Sequence, residues 1–352
     1  MSKKGIVLTL VLIFICVAVA GCGGGDKKSA GGADTVYKIK VADGFPAAHI
    51  FTVNGLNFFM KNVEEKSKGR IKFEHYPGGQ LGKQADMLEL VKTGVTDMAF
   101  VGPTYMSGKL PLSNIFDLPG MYSSATIGAE VYLDLTQNVL YDLEYKPNKI
   151  QPVFAIVYSP SDICNTKKEI RKPSDLKGMS IRVPGLMAEK AVMHMGAAAV
   201  NILPQEMYEA TMRGTVDGLI LPLESFNSYK MQELVKYTTK GMDITGFAGS
   251  YCFNENFWKK LPEDLQKLLL EEGRTASIHL GSHLEKVNND SAKEFEKAGM
   301  VISYLTPEEK KAFYDETEFI AEQWVKEMEA KKLPGKKVMD TCRELVAKYS
   351  KK

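Results

Sequence analysis

Six arginines occur in this 352-residue chain, and their positions separate one from the rest. Arg70 precedes a predicted strand, Arg171 lies in a loop before another, and Arg213 closes a helix. Arg274 and Arg343 fall in helical stretches whose pattern suits solvated faces. Arg182 alone stands at the carboxyl end of a predicted strand, Met179-Ser-Ile-Arg-Val183, just before Pro184-Gly185. A guanidinium there can hold a carboxylate through two charge-assisted hydrogen bonds, a geometry that lysine does not match. The alternative for Arg182 is a structural ion pair within its own domain.

Other chemistries find less support. His279 and His283 are four apart on one helix face, but no third ligand completes a metal site, so a solvated face is expected. No Gly-x-Gly-x-x-Gly fingerprint and no Gly-x-Ser-x-Gly elbow occurs, and His49 has no nucleophile to serve. Neither a metal nor a cofactor is expected. Of five cysteines, Cys16 and Cys22 belong to the leading segment, and Cys164, Cys252 and Cys342 are expected as buried thiols, with a Cys164–Cys252 bridge as the alternative.

The elements that must position Arg182 repeat. In the first half, strands at 37–42, 71–76 and 97–101 alternate with helices at about 51–66 and 84–93. In the second half, strands at 179–183, 198–203 and 217–221 alternate with helices at about 186–196 and 205–213. Each half is a β-α-β-α-β unit, the building block of an open parallel sheet, and two such units predict an α/β fold of two similar lobes. Open parallel sheets bind ligands at the carboxyl ends of their strands. That rule nominates Phe45, Gln80, Thr104, Tyr105, Leu221 and Glu224, with Gln84 and Phe247 beside them. The C-terminal third is helical. A stretch over 262–298 would span roughly 55 Å and brace both lobes, and Thr306-Pro-Glu-Glu309 opens a further helix through about Glu329.

The ends set the compartment. Lys3 and Lys4 precede an apolar run from Ile6 to Ala20, too short to span a bilayer and right for an export signal. It closes on Val19-Ala20-Gly21-Cys22, which resembles the bacterial lipobox, with Cys22 as the acylated residue. The Gly-rich segment 22–34 then reads as a flexible tether. Outside the signal, basic and acidic residues balance at 43 each, which argues against nucleic acid as a partner.

Four stretches resemble one family. They are Tyr76-Pro-Gly-Gly-Gln-Leu-Gly82, Leu176-Lys-Gly-Met-Ser-Ile-Arg-Val-Pro184, Tyr208-Glu-Ala-Thr-Met-Arg-Gly-Thr-Val-Asp-Gly218 and Asn256-Phe-Trp-Lys-Lys-Leu-Pro-Glu-Asp-Leu-Gln266. In this order they are similar to the extracytoplasmic solute-binding subunits of TRAP transporters, the DctP family. The resemblance implies a periplasmic-binding-protein clamp, no catalysis, Arg182 as the principal carboxylate ligand, delivery to a membrane permease, and crossovers near 159 and 245. The expected division is a signal at 1–21, a tether at 22–34 and a connecting helix at 262–298. Lobe I would then take 35–158 with 245–285, and lobe II 159–244 with 299–352. A lipid-anchored monomer in the periplasm or at the cell surface follows, binding a keto, hydroxy, aromatic or amino-acid-like carboxylate. Two departures argue against a heavily polar ligand. Asp162 stands where sialic-acid-binding members carry a second arginine, and Leu221 where they carry an asparagine. Asp162, if it faces the cleft, would accept from an amino or hydroxyl group. The alternative is an exported α/β enzyme acting on a small organic acid.

Overall fold

The computed structural model describes residues 35–106 and 108–351. The expected signal, Cys22 and the tether lie outside the described residues. Strands β1 (Tyr37–Ala42), β2 (Ile71–Tyr76) and β3 (Met98–Val101) form where the sequence pattern places them, with β1 parallel to both neighbours. The crossovers are helical, Thr52–Leu56 continuing as Asn57–Lys66, and Gln84–Asp86 as Met87–Thr93. The second of these stops at Gly94, whose φ of 78° is a left-handed conformation that a side chain disfavours.

After β4 (Ile150–Val157) the chain crosses to the second lobe and builds β5 (Ile163–Asn165), β6 (Ser180–Val183), β7 (Ala198–Asn201), β8 (Gly218–Ile220) and β9 (Tyr237–Lys240). It returns as β10 (Ala248–Asn254) and later adds β11 (Val301–Tyr304). The sheet orders are β2-β1-β3-β10-β4 and β11-β9-β5-β8-β6-β7. Both sheets depart from the expected all-parallel form by one reversed strand. β10 is antiparallel to β3 and β4, and β5 to β8 and β9. Each of these two strands begins directly after the chain has crossed between lobes. It therefore enters its sheet at the cleft end, where the parallel strands finish.

The long helix Glu263–Lys297 has 35 residues, roughly 52 Å at the α-helical rise. Its first half lies hard against the first lobe. A Cβ on Gly273 would sit 2.1 Å from the Val153 carbonyl oxygen, and one on Gly281 would sit 2.9 Å from that of Ala125. Between them Ser277 Oγ accepts the Ala155 N–H at 2.9 Å. Its second half buries Ala292 and Phe295 against Phe226 and Ile302 of the second lobe. One helix thus braces both lobes.

The helix expected from Thr306 has its capping box but breaks into Pro307–Asp315 and Glu318–Ala330. At the break the buried Thr317 hydroxyl donates back to the Phe313 carbonyl, which bends a helix. The last helix, Gly335–Tyr349, packs on Ala125–Asp134 of the first lobe, where Tyr349 bonds Asp134. The C-terminal tail therefore straddles the division drawn from sequence. Cys164, Cys252 and Cys342 are buried free thiols.

Candidate ligand-binding site

Arg182 lies in the middle of the second sheet, opposite Val200 of β7 and Leu219 of β8, and is 3% exposed. Its Nε donates to the Ile202 carbonyl at 2.9 Å and its Nη1 to the Ile220 carbonyl at 3.3 Å. Both acceptors belong to the carboxyl ends of the flanking strands, so the backbone fixes the plane of the guanidinium. No carboxylate among the described residues comes within ion-pair distance of it, which leaves the structural ion pair unrealised. Burial pushes its pKa down, while Tyr105, Tyr229 and Tyr158 nearby favour the cation. A buried charge without a counter-charge is costly, so an anion beside the guanidinium would be stabilising there.

The guanidinium faces a cavity between the lobes. Tyr105 comes from the first lobe; Tyr158, Ser161, Thr245, Gly246 and Phe247 come from the two crossovers. The second lobe adds Pro184, Pro204, Met207, Ile220, Leu221, Pro222 and Tyr229. Phe247 packs against Tyr105 and Tyr158, with ring centroids 5.6 and 5.1 Å apart. The crossovers are tied to each other: the Ser161 N–H donates to the Thr245 carbonyl and the Ile244 N–H to that of Ser161. Gly246 has no room for a side chain, since its Cβ would meet the Phe116 carbonyl oxygen at 2.2 Å.

Of the residues nominated from sequence, Arg182, Tyr105, Leu221 and Phe247 line this cavity. The others are placed elsewhere. Phe45 is buried in the first lobe against His49, Phe51 and Phe100, and Gln80 is exposed on a loop. Gln84 serves the backbone at both ends, accepting from Gly44 N–H and donating to the Phe100 carbonyl. Thr104 donates to Asp117 Oδ1 at 2.7 Å. Glu224 accepts from the Ser159 N–H at the crossover, and burial pushes its pKa up to about 7.

Asp162 does not face the cleft. Its Oδ1 accepts the N–H groups of Gly241, Met242 and Asp243, and its Oδ2 lies 3.5 Å from Lys240 Nζ. It lines a separate polar cavity with Lys240, Asp243 and Glu285. Its Oδ1 is thus taken up by the turn after β9, and its Oδ2 is turned toward Lys240 and not toward Arg182.

Tyr158, Tyr229 and Met207 were missed from sequence. Tyr158 directly follows β4, a strand with no alternating signal, and Tyr229 sits on the short helix Phe226–Tyr229. The histidine pair does not build a metal site: His279 stacks on Phe58 at 4.0 Å, and no metal-competent cluster occurs among the described residues. No helix among the described residues is long and apolar enough to cross a membrane.

Comparison with known proteins agrees with this geometry. The family model for DctP, bacterial extracellular solute-binding protein family 7, matches residues 45–328. A solute-binding protein of Albidiferax ferrireducens is 28% identical over 280 residues, 76% of this chain and 80% of its own length. The C4-dicarboxylate-binding protein DctB of Bacillus subtilis is 24% identical over 285 residues, covering 76% of this chain and 77% of its own. Among solved structures, a TRAP solute-binding protein from Rhodoferax ferrireducens in complex with copurified benzoate has a TM-score of 0.83 at 25% identity, covering 90% of this chain and 99% of that one. These relatives are binding proteins, not enzymes. With its two lobes, its interlobe cleft and a family match over most of its length, the chain belongs to the DctP family, as an extracytoplasmic solute-binding subunit of a TRAP transporter.

Proposed function

We propose that the protein captures a small organic carboxylate, of keto, hydroxy, aromatic or amino-acid type, and that Arg182 is its anchor. Arg182 carries this reading. It is a buried guanidinium held by two backbone carbonyls, facing the interlobe cavity with no acidic partner among the described residues. The benzoate in the Rhodoferax structure and the dicarboxylate in the Bacillus protein's name are both carboxylates, which supports the same chemistry. The two lobes close on the acid by rotation at 158–162 and 241–247, and the long helix pivots with them. Closure lowers the local dielectric around the ion pair and strengthens it. The acid then passes to the membrane permease. Acylation at Cys22 and the tether would hold the monomeric folded body at the membrane surface.

Mass spectrometry of acid released from purified protein, followed by calorimetry with that acid, tests the reading. Release of a carboxylate that rebinds stoichiometrically supports it; a protein that binds no small carboxylate overturns it.

A further inference from the structure

We infer that the acid this cleft selects is a monocarboxylate on a flat aromatic body, and that Tyr158, oriented by His49, donates a hydrogen bond to its carboxylate. The inference rests on the carboxylate reading above and deepens it. Charge comes first. Among the described residues Arg182 is the one ionic side chain lining the cavity, so one carboxylate balances it and a second would be buried without a counter-ion.

The remaining wall narrows the body of the ligand. Tyr105, Tyr158 and Phe247 form a continuous aromatic face, with interplanar angles of 55° and 49° about Phe247. Pro184, Pro204, Pro222 and Met207 present apolar surface. The hydroxyls of Tyr105, Tyr158, Ser161, Tyr229 and Thr245 belong to the same wall. Thr245 Oγ1 already donates toward the Asp117 carbonyl at 2.6 Å and that of Gly246 at 3.1 Å. A sugar acid would also set hydroxyls against Pro184, Pro204, Pro222 and Met207, whose side chains offer them no partner, whereas an aromatic ring packs on that surface and on the edges and faces of the other rings.

The proton on His49 can be placed. His49 is fully buried, ringed by Phe45, Phe51 and Tyr229, and burial pushes its pKa down to about 3, so it is neutral. Its Nδ1 lies 3.2 Å from the Phe51 backbone nitrogen, which can only donate. The ring hydrogen is therefore on Nε2, and it donates to the Tyr158 hydroxyl at 3.4 Å. The Tyr158 oxygen is then an acceptor toward His49, and its own proton can turn to the neighbouring Ser225 hydroxyl or to the cavity. Tyr158 lines the cavity and acts on the charge of Arg182, so an anion paired with Arg182 is the natural recipient.

The test uses the folded protein stripped of ligand and calorimetry with benzoate, pyruvate, succinate and D-glucuronate as probes. Benzoate should bind about a hundredfold or more tighter than succinate or D-glucuronate, and tighter than pyruvate. Tyr158→Phe, with an unchanged ligand-free melting temperature, should weaken benzoate about tenfold. His49→Phe should weaken it in the wild-type background but not in the Tyr158→Phe background, which a merely structural role would not produce. Tighter binding of succinate, D-glucuronate or pyruvate than benzoate overturns the inference and leaves the carboxylate reading standing. Wild-type benzoate affinity in Tyr158→Phe removes Tyr158 from it. Binding of none of the four also overturns the inference, and the acid released from purified protein then decides the carboxylate reading separately.

Discussion

Replacing Arg182 by alanine changes binding and stability in different proportions, and the structure supplies the reason. In the ligand-free protein the guanidinium makes two hydrogen bonds to backbone carbonyls, at 2.9 and 3.3 Å. Each charge-assisted bond is worth about 1.5–3 kcal/mol, but keeping the cation buried without a counter-charge costs several kcal/mol. The two nearly cancel, so Arg182→Ala should leave the ligand-free melting temperature almost unchanged. The ligand loses the one cation that lines the cavity among the described residues and is buried unpaired, which costs about 2–5 kcal/mol, a loss of roughly thirtyfold to several thousandfold in affinity. Arg182→Lys should rescue little, because one ammonium cannot reach both strand-end carbonyls and also present a fork to the acid. Calorimetry with benzoate on wild type and both variants, beside thermal unfolding without ligand, reads both quantities. An Arg182→Ala protein that is folded and binds within about threefold of wild type would refute the anchor.

Asp162→Ala should destabilise the fold by roughly 3–5 kcal/mol, because three backbone N–H groups lose their acceptor and the largely buried Lys240 loses its partner. The order of preference among acids should stay the same; a changed order in calorimetry would return Asp162 to the ligand site. Burial pushes the Asp117 carboxyl up to about 7, against an unfolded value near 3.9, so between roughly pH 4 and 7 the folded chain holds a proton that the unfolded chain has lost. Asp117 therefore lowers stability as pH rises through that window, by up to about 1.4 kcal/mol per pH unit. Asp117→Asn should flatten urea-denaturation stability between pH 5 and 7, and an unchanged slope would contradict the assignment. Cys22→Ser should release the protein from membranes in soluble form; a variant still sedimenting with membranes after a high-salt wash would disprove the lipid anchor.

The family, the two-lobe plan and the strand-end position of Arg182 are local properties, and sequence alone carries them. Strand β6 with Pro184-Gly185 behind it puts Arg182 at a strand end whatever surrounds it, and the pattern from Tyr37 to Val101 spells its own crossovers. Gly94 and Gly214 stop their helices because the left-handed backbone they need is written in the residue type. The reversed strands β5 and β10 were not legible, because their direction comes from the point at which the chain re-enters a sheet after visiting the other lobe. The roles of Gln84, Thr104, Glu224 and Asp162 were not legible either. Each is a polar side chain near a strand end, as a ligand-binding residue would be, and only the fold decides whether another protein group reaches it first. For Asp162 three N–H groups of the turn after β9 do so. Tyr158 and Tyr229 are the converse case. Nothing in their neighbours marks them, and they join the site because two distant segments converge on Arg182 across the cleft. Periodicity and turn chemistry act over a few residues and can be read in order, whereas a pocket between lobes is assembled from contacts that no local pattern contains.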